Sequence, residues 1–105
     1  MSVIVTVWIQ GDPQKLEQVA GENPDRMQEI LEQAKENGLI AHRFYGSDGQ
    51  VLVIDEWPDA ESFQRFFDGA TDKVQALMGD AGVTEQPRPN FWRKLDTGDD
   101  YGWES

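Results

Sequence analysis

The chain has a single histidine, His42, and no cysteine. Any acid–base or nucleophilic chemistry must therefore be built from one imidazole, hydroxyls and carboxylates. His42 lies in AHRFYGSDGQVLVIDEW, residues 41–57. That stretch is interrupted by Ser47-Asp48-Gly49, a hairpin signal between two largely apolar runs. If Asp48 and Gly49 form a two-residue type I′ turn, Ser47 faces Gln50 and each further pair keeps the same index sum. Phe44 then faces Val53, His42 faces Asp55, and Ile40 faces Trp57. Cross-strand partners share a face with close Cβ atoms. His42, Asp55 and Trp57 would lie together among Ile40, Phe44 and Val53, with Arg43 on the opposite face, diagonal to Glu56. A type I turn with a bulge at Gly49 gives a different result. The register moves by one, Asp55 faces Ala41, His42 faces Ile54, and the pair is lost.

A His–Asp couple on an apolar face has a definite chemical use. The carboxylate orients the ring, and the ring can take a proton from an acidic phenol, leaving an electron-rich anion that can react with oxygen. His42 and Asp55 are thus the candidate catalytic pair. Trp57 and Phe44 would supply a flat apolar wall for an aromatic ligand. Arg43, and with it Arg93, is a candidate for holding an anionic oxygen. Trp8 adds apolar surface, either to a ligand site or to packing in the sheet or between subunits. The competing reading makes His42 a hydrogen-bonded structural residue and Trp57 a packing residue at a strand-to-helix corner.

Composition narrows the partners. Nine basic against twenty acidic side chains leave a formal net charge of −11. That field repels phosphate backbones and anionic bilayers, so neither nucleic acid nor membrane is an expected partner. With one His and no Cys, a zinc site would need carboxylates for its other ligands. No metal or other cofactor is expected. The opening MSVIVTVWIQ alternates like a strand and lacks a basic leader pattern, and no apolar run approaches the ~18 residues of a membrane span. The expected location is cytoplasmic.

The elements that must position the pair follow from periodicity. Val3, Val5, Val7 and Ile9 alternate with Ile4, Thr6, Trp8 and Gln10, and both faces are largely apolar, as in a central strand covered on both sides. Asp12 and Pro13 start a short helix that ends before Gly21. Asn23 and Pro24 start a second, with Met27, Ile30, Leu31 and Ala34 on one stripe and Gly38 as its stop. After the hairpin, residues 58–70 read as a helix with Phe63, Phe66, Phe67 and Ala70 on its stripe. Another begins at Thr71 and carries Val74, Leu77, Met78 and Ala81 to Gly82. QPRPNFWRKL gives a last, edge strand. A single domain over residues 1–96 is expected, followed by an acidic tail, 97–105, mobile unless Tyr101 or Trp103 docks.

The order β-α-β-β-α-β, with each helical segment broken or doubled, predicts an α+β fold. It is a ferredoxin-like antiparallel sheet with the first and third strands central, the last at an edge, and helices on one face. Because the central strands are apolar on both sides, the open face needs a cover, and a second copy of the chain is the economical one.

This order, the open face and the stretch VLVIDEWPDAESFQRFF resemble the antibiotic biosynthesis monooxygenase-like family of dimeric α+β barrels. The shared pattern is an acidic residue and Trp at a strand end, a polar cap, then a helix opening with Glu and an apolar residue: here Glu56-Trp57, Asp59, Glu61 and Phe63. The resemblance implies a homodimer with a pocket between sheet and helices in each subunit. It implies a cofactor-independent oxygenase acting on an aromatic or quinol-like substrate, or a non-catalytic binder of a small hydrophobic or aromatic ligand. The family's haem-degrading branch carries a histidine about one helix after the tryptophan, where this chain has Phe66 and Phe67. The cofactor-free branch has a pocket-facing histidine on the preceding strand, the arrangement that His42 and Trp57 match.

Overall fold

In the computed structural model, which describes residues 2–102, the chain forms one four-stranded antiparallel sheet and three helices. They run β1 (Val3–Gln10), α1 (Pro13–Glu22), α2 (Pro24–Glu36), β2 (Ala41–Ser47), β3 (Gln50–Trp57), α3 (Ala60–Asp80) and β4 (Arg88–Trp92). The strand order is β2-β3-β1-β4, so the first and third strands are central and the last is an edge, as the element order predicts. The fold is the expected ferredoxin-like α+β sheet.

Local chemistry sets the helix boundaries. Asp12 accepts from the Gln14 N–H and Pro13 opens α1. Gly21 does not end α1, which continues to Glu22. Asn23 then serves two helices at once: its N–H caps α1 on the Val19 carbonyl, and its side chain accepts from Arg26 N–H to open α2. At the end of α2, Gly38 (φ 103°) takes the left-handed turn. Its N–H bonds the Lys35 carbonyl while Leu39 N–H bonds that of Ala34, a Schellman closure.

Residues 60–80 form one helix of 21 residues, where the sequence pattern predicts one helix over 58–70 and another from Thr71. Thr71 turns its hydroxyl back onto the Phe67 carbonyl, a bond available inside a helix. Gly69 serves packing: a Cβ there would stand 3.2 Å from the Gln33 side chain of α2. At the start of α3, Asp59 caps both the N–H and the hydroxyl of Ser62. Those two bonds hold its carboxyl below the ordinary aspartate value.

Burial follows strand alternation. On the helix side, the rows across the sheet are Phe91–Val5–Asp55–His42 and Pro89–Val7–Val53–Phe44. Every strand residue in the two buried clusters lies on this side. One cluster joins Ile9, Val51 and Val53 to Leu16, Val19, Leu77 and Met78. The other joins Val5 and Trp57 to Ala34, Phe63, Phe66 and Ala70. The opposite side carries Arg88–Trp8–Leu52–Tyr45, Asn90–Thr6–Ile54–Arg43 and Trp92–Ile4–Glu56–Ala41. No helix packs on it among the described residues.

In the tail, Tyr101 is exposed and docks on nothing among the described residues; Trp103 lies outside them. No helix among the described residues is long and apolar enough to cross a membrane.

Gly46 shows how tightly the edge hairpin meets α1. A Cβ at this position would lie 2.7 Å from Pro13 Cβ, too close without movement of strand or helix. Gly46→Ala will lower the unfolding free energy by about 1–3 kcal/mol through overpacking. Gly21→Ala, with nothing within 4 Å of the added carbon, will instead raise it by up to about 1 kcal/mol. Urea unfolding of both variants checks the contrast.

Candidate active site

The hairpin settles between the two registers. Ser47 pairs with Gln50, Phe44 with Val53, and His42 with Asp55, the outcome of a two-residue loop. The turn itself is not type I′: Gly49 has φ 69°, while no non-glycine residue among the described ones has positive φ, so Asp48 stays in the ordinary region. The loop is also tied to the neighbouring strand, since the Gly11 N–H donates to the Gly49 carbonyl at 3.1 Å.

On this register, His42 Nδ1 stands 2.6 Å from Asp55 Oδ1. An ionised carboxylate only accepts, so this contact puts the hydrogen on Nδ1 and leaves the lone pair of the neutral ring on Nε2. The other carboxylate oxygen, Oδ2, accepts from Trp57 Nε1 at 3.1 Å. Asp55 is thus buried with a donor on each oxygen, the condition under which a carboxylate tolerates an apolar surround. The His42 side chain is 29% exposed; the residue as a whole counts as exposed because its backbone belongs to an edge strand. Phe44 meets the imidazole edge-on, with ring centroids 5.1 Å apart.

A cavity of about 110 Å³ opens beside the pair, at the seam where the two buried clusters meet. Its walls come from the helix-facing side of the sheet and from α2 and α3, with Phe44, Met27, Phe67 and Val74 among them. Among the described residues, His42 and Asp55 are the only polar side chains in that wall. The arrangement presents one proton acceptor to an otherwise hydrocarbon space.

Three of the expected site residues stand elsewhere. Trp57 is no ligand wall: it is fully buried, absent from the cavity lining, and packed on Phe63 and Phe66. Its polar edge anchors Asp55 instead. Arg43 is on the open face, as alternation requires, and donates to the Tyr45 hydroxyl at 3.2 Å. Trp8 shares that face, donating to Gln50 at 2.7 Å with the Arg88 guanidinium 5.4 Å from its ring. Neither reaches the cavity. Ile40 is 55% exposed and continues the hairpin only through its N–H to the Glu56 carbonyl. Arg93 follows β4, exposed and outside the cavity. Phe66 and Phe67, at the positions of the haem-degrading branch's histidine, line the cavity with phenyl rings.

Leu39, Pro87 and Val74 were not foreseen as cavity residues. Their signal was apolar periodicity or none, which marks a buried stripe without showing where two stripes fail to meet. The Asp55–Trp57 bond did have a signal: two residues apart on one strand, both side chains take the same face.

The fold and the pair place the chain among α+β proteins with a helix-covered antiparallel sheet and a pocket between the two layers. No protein-family model matches the chain, and no curated protein matches it in sequence. Its fold is similar to that of solved antibiotic biosynthesis monooxygenases. It is similar to a monooxygenase from the gene ActVA-Orf6 of Streptomyces coelicolor, solved with the ligand Nanaomycin D. The TM-score is 0.67 at 16% identity, over 91% of this chain and 89% of that one. SnoaB, a cofactor-independent oxygenase from Streptomyces nogalater, gives 0.60 at 16% identity over 94% and 97%. A dimeric ferredoxin-like protein from an uncultured marine organism gives 0.66 at 11% identity over 98% and 93%. At these identities the likeness is one of fold.

Asp55→Asn tests the pair directly. An amide presents a donor or a weaker acceptor to Nδ1, so the neutral His42 ring will move its hydrogen toward Nε2. Ring nitrogen NMR of the neutral ring will show the Nδ1–H tautomer in the wild type and its loss in the variant. Trp57→Phe will lower stability by about 1.5–3 kcal/mol, the scale of a hydrogen bond to a charged group.

Proposed function

We propose that the protein is a small-molecule enzyme of the cofactor-independent monooxygenase type, acting on a hydroxylated aromatic ring held between sheet and helices. The observation that carries this reading is the 2.6 Å His42–Asp55 contact, set as the one polar feature of an apolar cavity. His42 Nε2 takes the proton of the ring hydroxyl, and Asp55 stabilises the imidazolium that forms. Trp57 holds Asp55 in place. The aromatic anion is the reductant of molecular oxygen. One oxygen atom becomes a ring carbonyl, and the other leaves as water with the hydroxyl hydrogen and the hydrogen of the attacked carbon. No external electron donor is needed for that balance. The low-dielectric wall favours the step by excluding water from the anion.

A second reading has its own support. Among the described residues the wall holds no polar group besides the pair, so nothing else is placed to meet a developing peroxide. A non-catalytic protein that binds a small aromatic ligand fits that wall equally well. The two are separated by oxygen consumption with phenols and quinols. The enzyme reading expects one oxygen consumed per substrate, and a loss of about 100-fold or more in kcat for His42→Ala, the scale of general-base catalysis. Binding of such ligands without oxygen uptake establishes the binder instead.

We also propose that the chain works as a homodimer with the open sheet faces together. That face carries Trp8, Leu52, Ile54 and Tyr45, with Trp92 55% exposed. In a chain of formal net charge −11, it holds one acidic side chain, Glu56, beside Arg43 and Arg88, so two copies meet there with little repulsion. Sedimentation will show a dimer at micromolar concentration. Ile54→Lys, in the middle of the face, will shift it to monomer. A monomeric wild type rules the assembly out.

A further inference from the structure

The cavity beside the pair measures about 110 Å³, less than the roughly 150 Å³ of an engineered apolar cavity that admits one benzene. An aromatic ring does not fit the space as it stands, so a wall has to move. The walls differ in how firmly they are held. Val7 and Val53 belong to the two central strands, which are paired on both sides. α3 is seated by six buried residues along its length. α2 has one, Ala34. Its other wall residues, Met27, Ile30 and Leu31, are only half-buried.

Polar contacts and two joints attach α2 instead. Arg26 meets Asp80 at 2.7 Å near one end, and Lys73 of α3 meets Glu29 at 3.3 Å and Gln33 at 3.2 Å in the middle. Such partly exposed pairs hold a helix weakly, and salt screens them. Arg26 Nε is buried without an acceptor among the described residues. The inward position thus leaves a donor unmet that outward movement returns to water. Asn23 (φ −141°, ψ 75°) is the one residue between α1 and α2, and Gly38 (φ 103°) lies just past the other end. Terminal positions of this kind absorb the backbone change of a hinge.

We propose that α2 is the gate of the cavity. It swings away from the sheet about Asn23 and Gly38 to admit an aromatic ring, and Arg26 and Lys73 are the latches that hold it closed. The gap runs past Leu39, which lines the cavity and leads into the edge strand bearing His42. The inference rests on the reading of this cavity as the ligand site, but not on turnover.

Locking the helix tests it. The chain has no cysteine, so Glu29→Cys with Lys73→Cys introduces the only two thiols, one on each side of the seam between α2 and α3. A short bis-thiosulfonate reagent bridges them reversibly. Phenol is the probe, followed by calorimetry and by the His42 ring nitrogen signals. Phenol should bind the bridged protein at least about tenfold more weakly than the same protein after the bridge is reduced. The Nδ1–H signal of the bridged protein without phenol reports whether the pair is intact. As a measurement free of the bridge, Lys73→Gln with Asp80→Asn should quicken phenol association about threefold or more, the scale of one or two exposed ion pairs. Salt at about 0.5 M should quicken the wild type but not this variant.

If phenol binds the bridged protein as tightly as the reduced one and still moves the His42 signals, the gate is overturned and the site reading stands. Where bridging disturbs the pair, the latch-free variant decides, and an unchanged association rate overturns the gate. If phenol leaves the His42 signals unmoved, or binds none of the unbridged forms, the site reading falls and the gate falls with it.

Discussion

A buried carboxylate is the constraint around which the rest of this structure is arranged. Asp55 lies in the helix-facing row of a central strand, between Val5 and His42, where hydrocarbon would be the cheaper choice. Leaving such a group unpaired would cost several kcal/mol, roughly as much as a small domain's whole margin of stability. It persists because each oxygen has its own donor. Trp57 comes from the same strand two residues on, so its indole is bound to share the face. His42 comes from the edge strand. One donor is thus secured by local alternation, and the other depends on register.

That dependence explains which parts of the site were legible in the sequence. Index arithmetic about Asp48-Gly49 places His42 opposite Asp55, and the same arithmetic with a bulge separates them. Turn propensity alone leaves both open, because Asp-Gly suits either loop. The added restraint comes from outside the hairpin: the Gly11 N–H reaches the Gly49 carbonyl, and Gln10 pairs with Gln50. A contact between residues so far apart in the chain has no local signature. The element order, the capping residues and the buried stripes were legible because each is a short-range pattern of period two or 3.6. The single helix through Gly69 and Thr71 was not, since glycine and a β-branched residue both weaken local helix propensity and tertiary context overrides it.

Side-chain direction was harder to read than element identity. Aromatic residues at 8, 57 and 44 look equivalent in sequence, yet the structure assigns them three different tasks. Phe44 borders the cavity beside the imidazole. Trp57 is two residues from Asp55 and turns its N–H inward, so its ring packs on Phe63 and Phe66 and cannot also face a ligand. Trp8 is at an even position of β1, and alternation puts it on the open face with Arg88. The cavity arises at the seam of two packed clusters, each satisfied within itself. Periodicity marks what is buried; it carries no information on where two well-packed groups leave a gap.

The two faces of the sheet therefore answer to different demands. The helix-facing side holds one polar pair, Asp55 buried and His42 part-exposed on the edge strand, against an apolar wall. The open side spreads its polar atoms: Trp8 bonds Gln50, Trp92 bonds Thr6, and Arg43 bonds Tyr45. Trp8 and Trp92 have each met their single polar need on the face itself, whereas Arg43 has one partner for its guanidinium and Arg88 lies against the Trp8 ring. The strand carrying Asp55 inward also carries Leu52 and Ile54 outward. Residues at the open face and at the imidazole are thus held by the same β3 ladder, and a partner that stiffened one side of it would steady the register on which the other side depends.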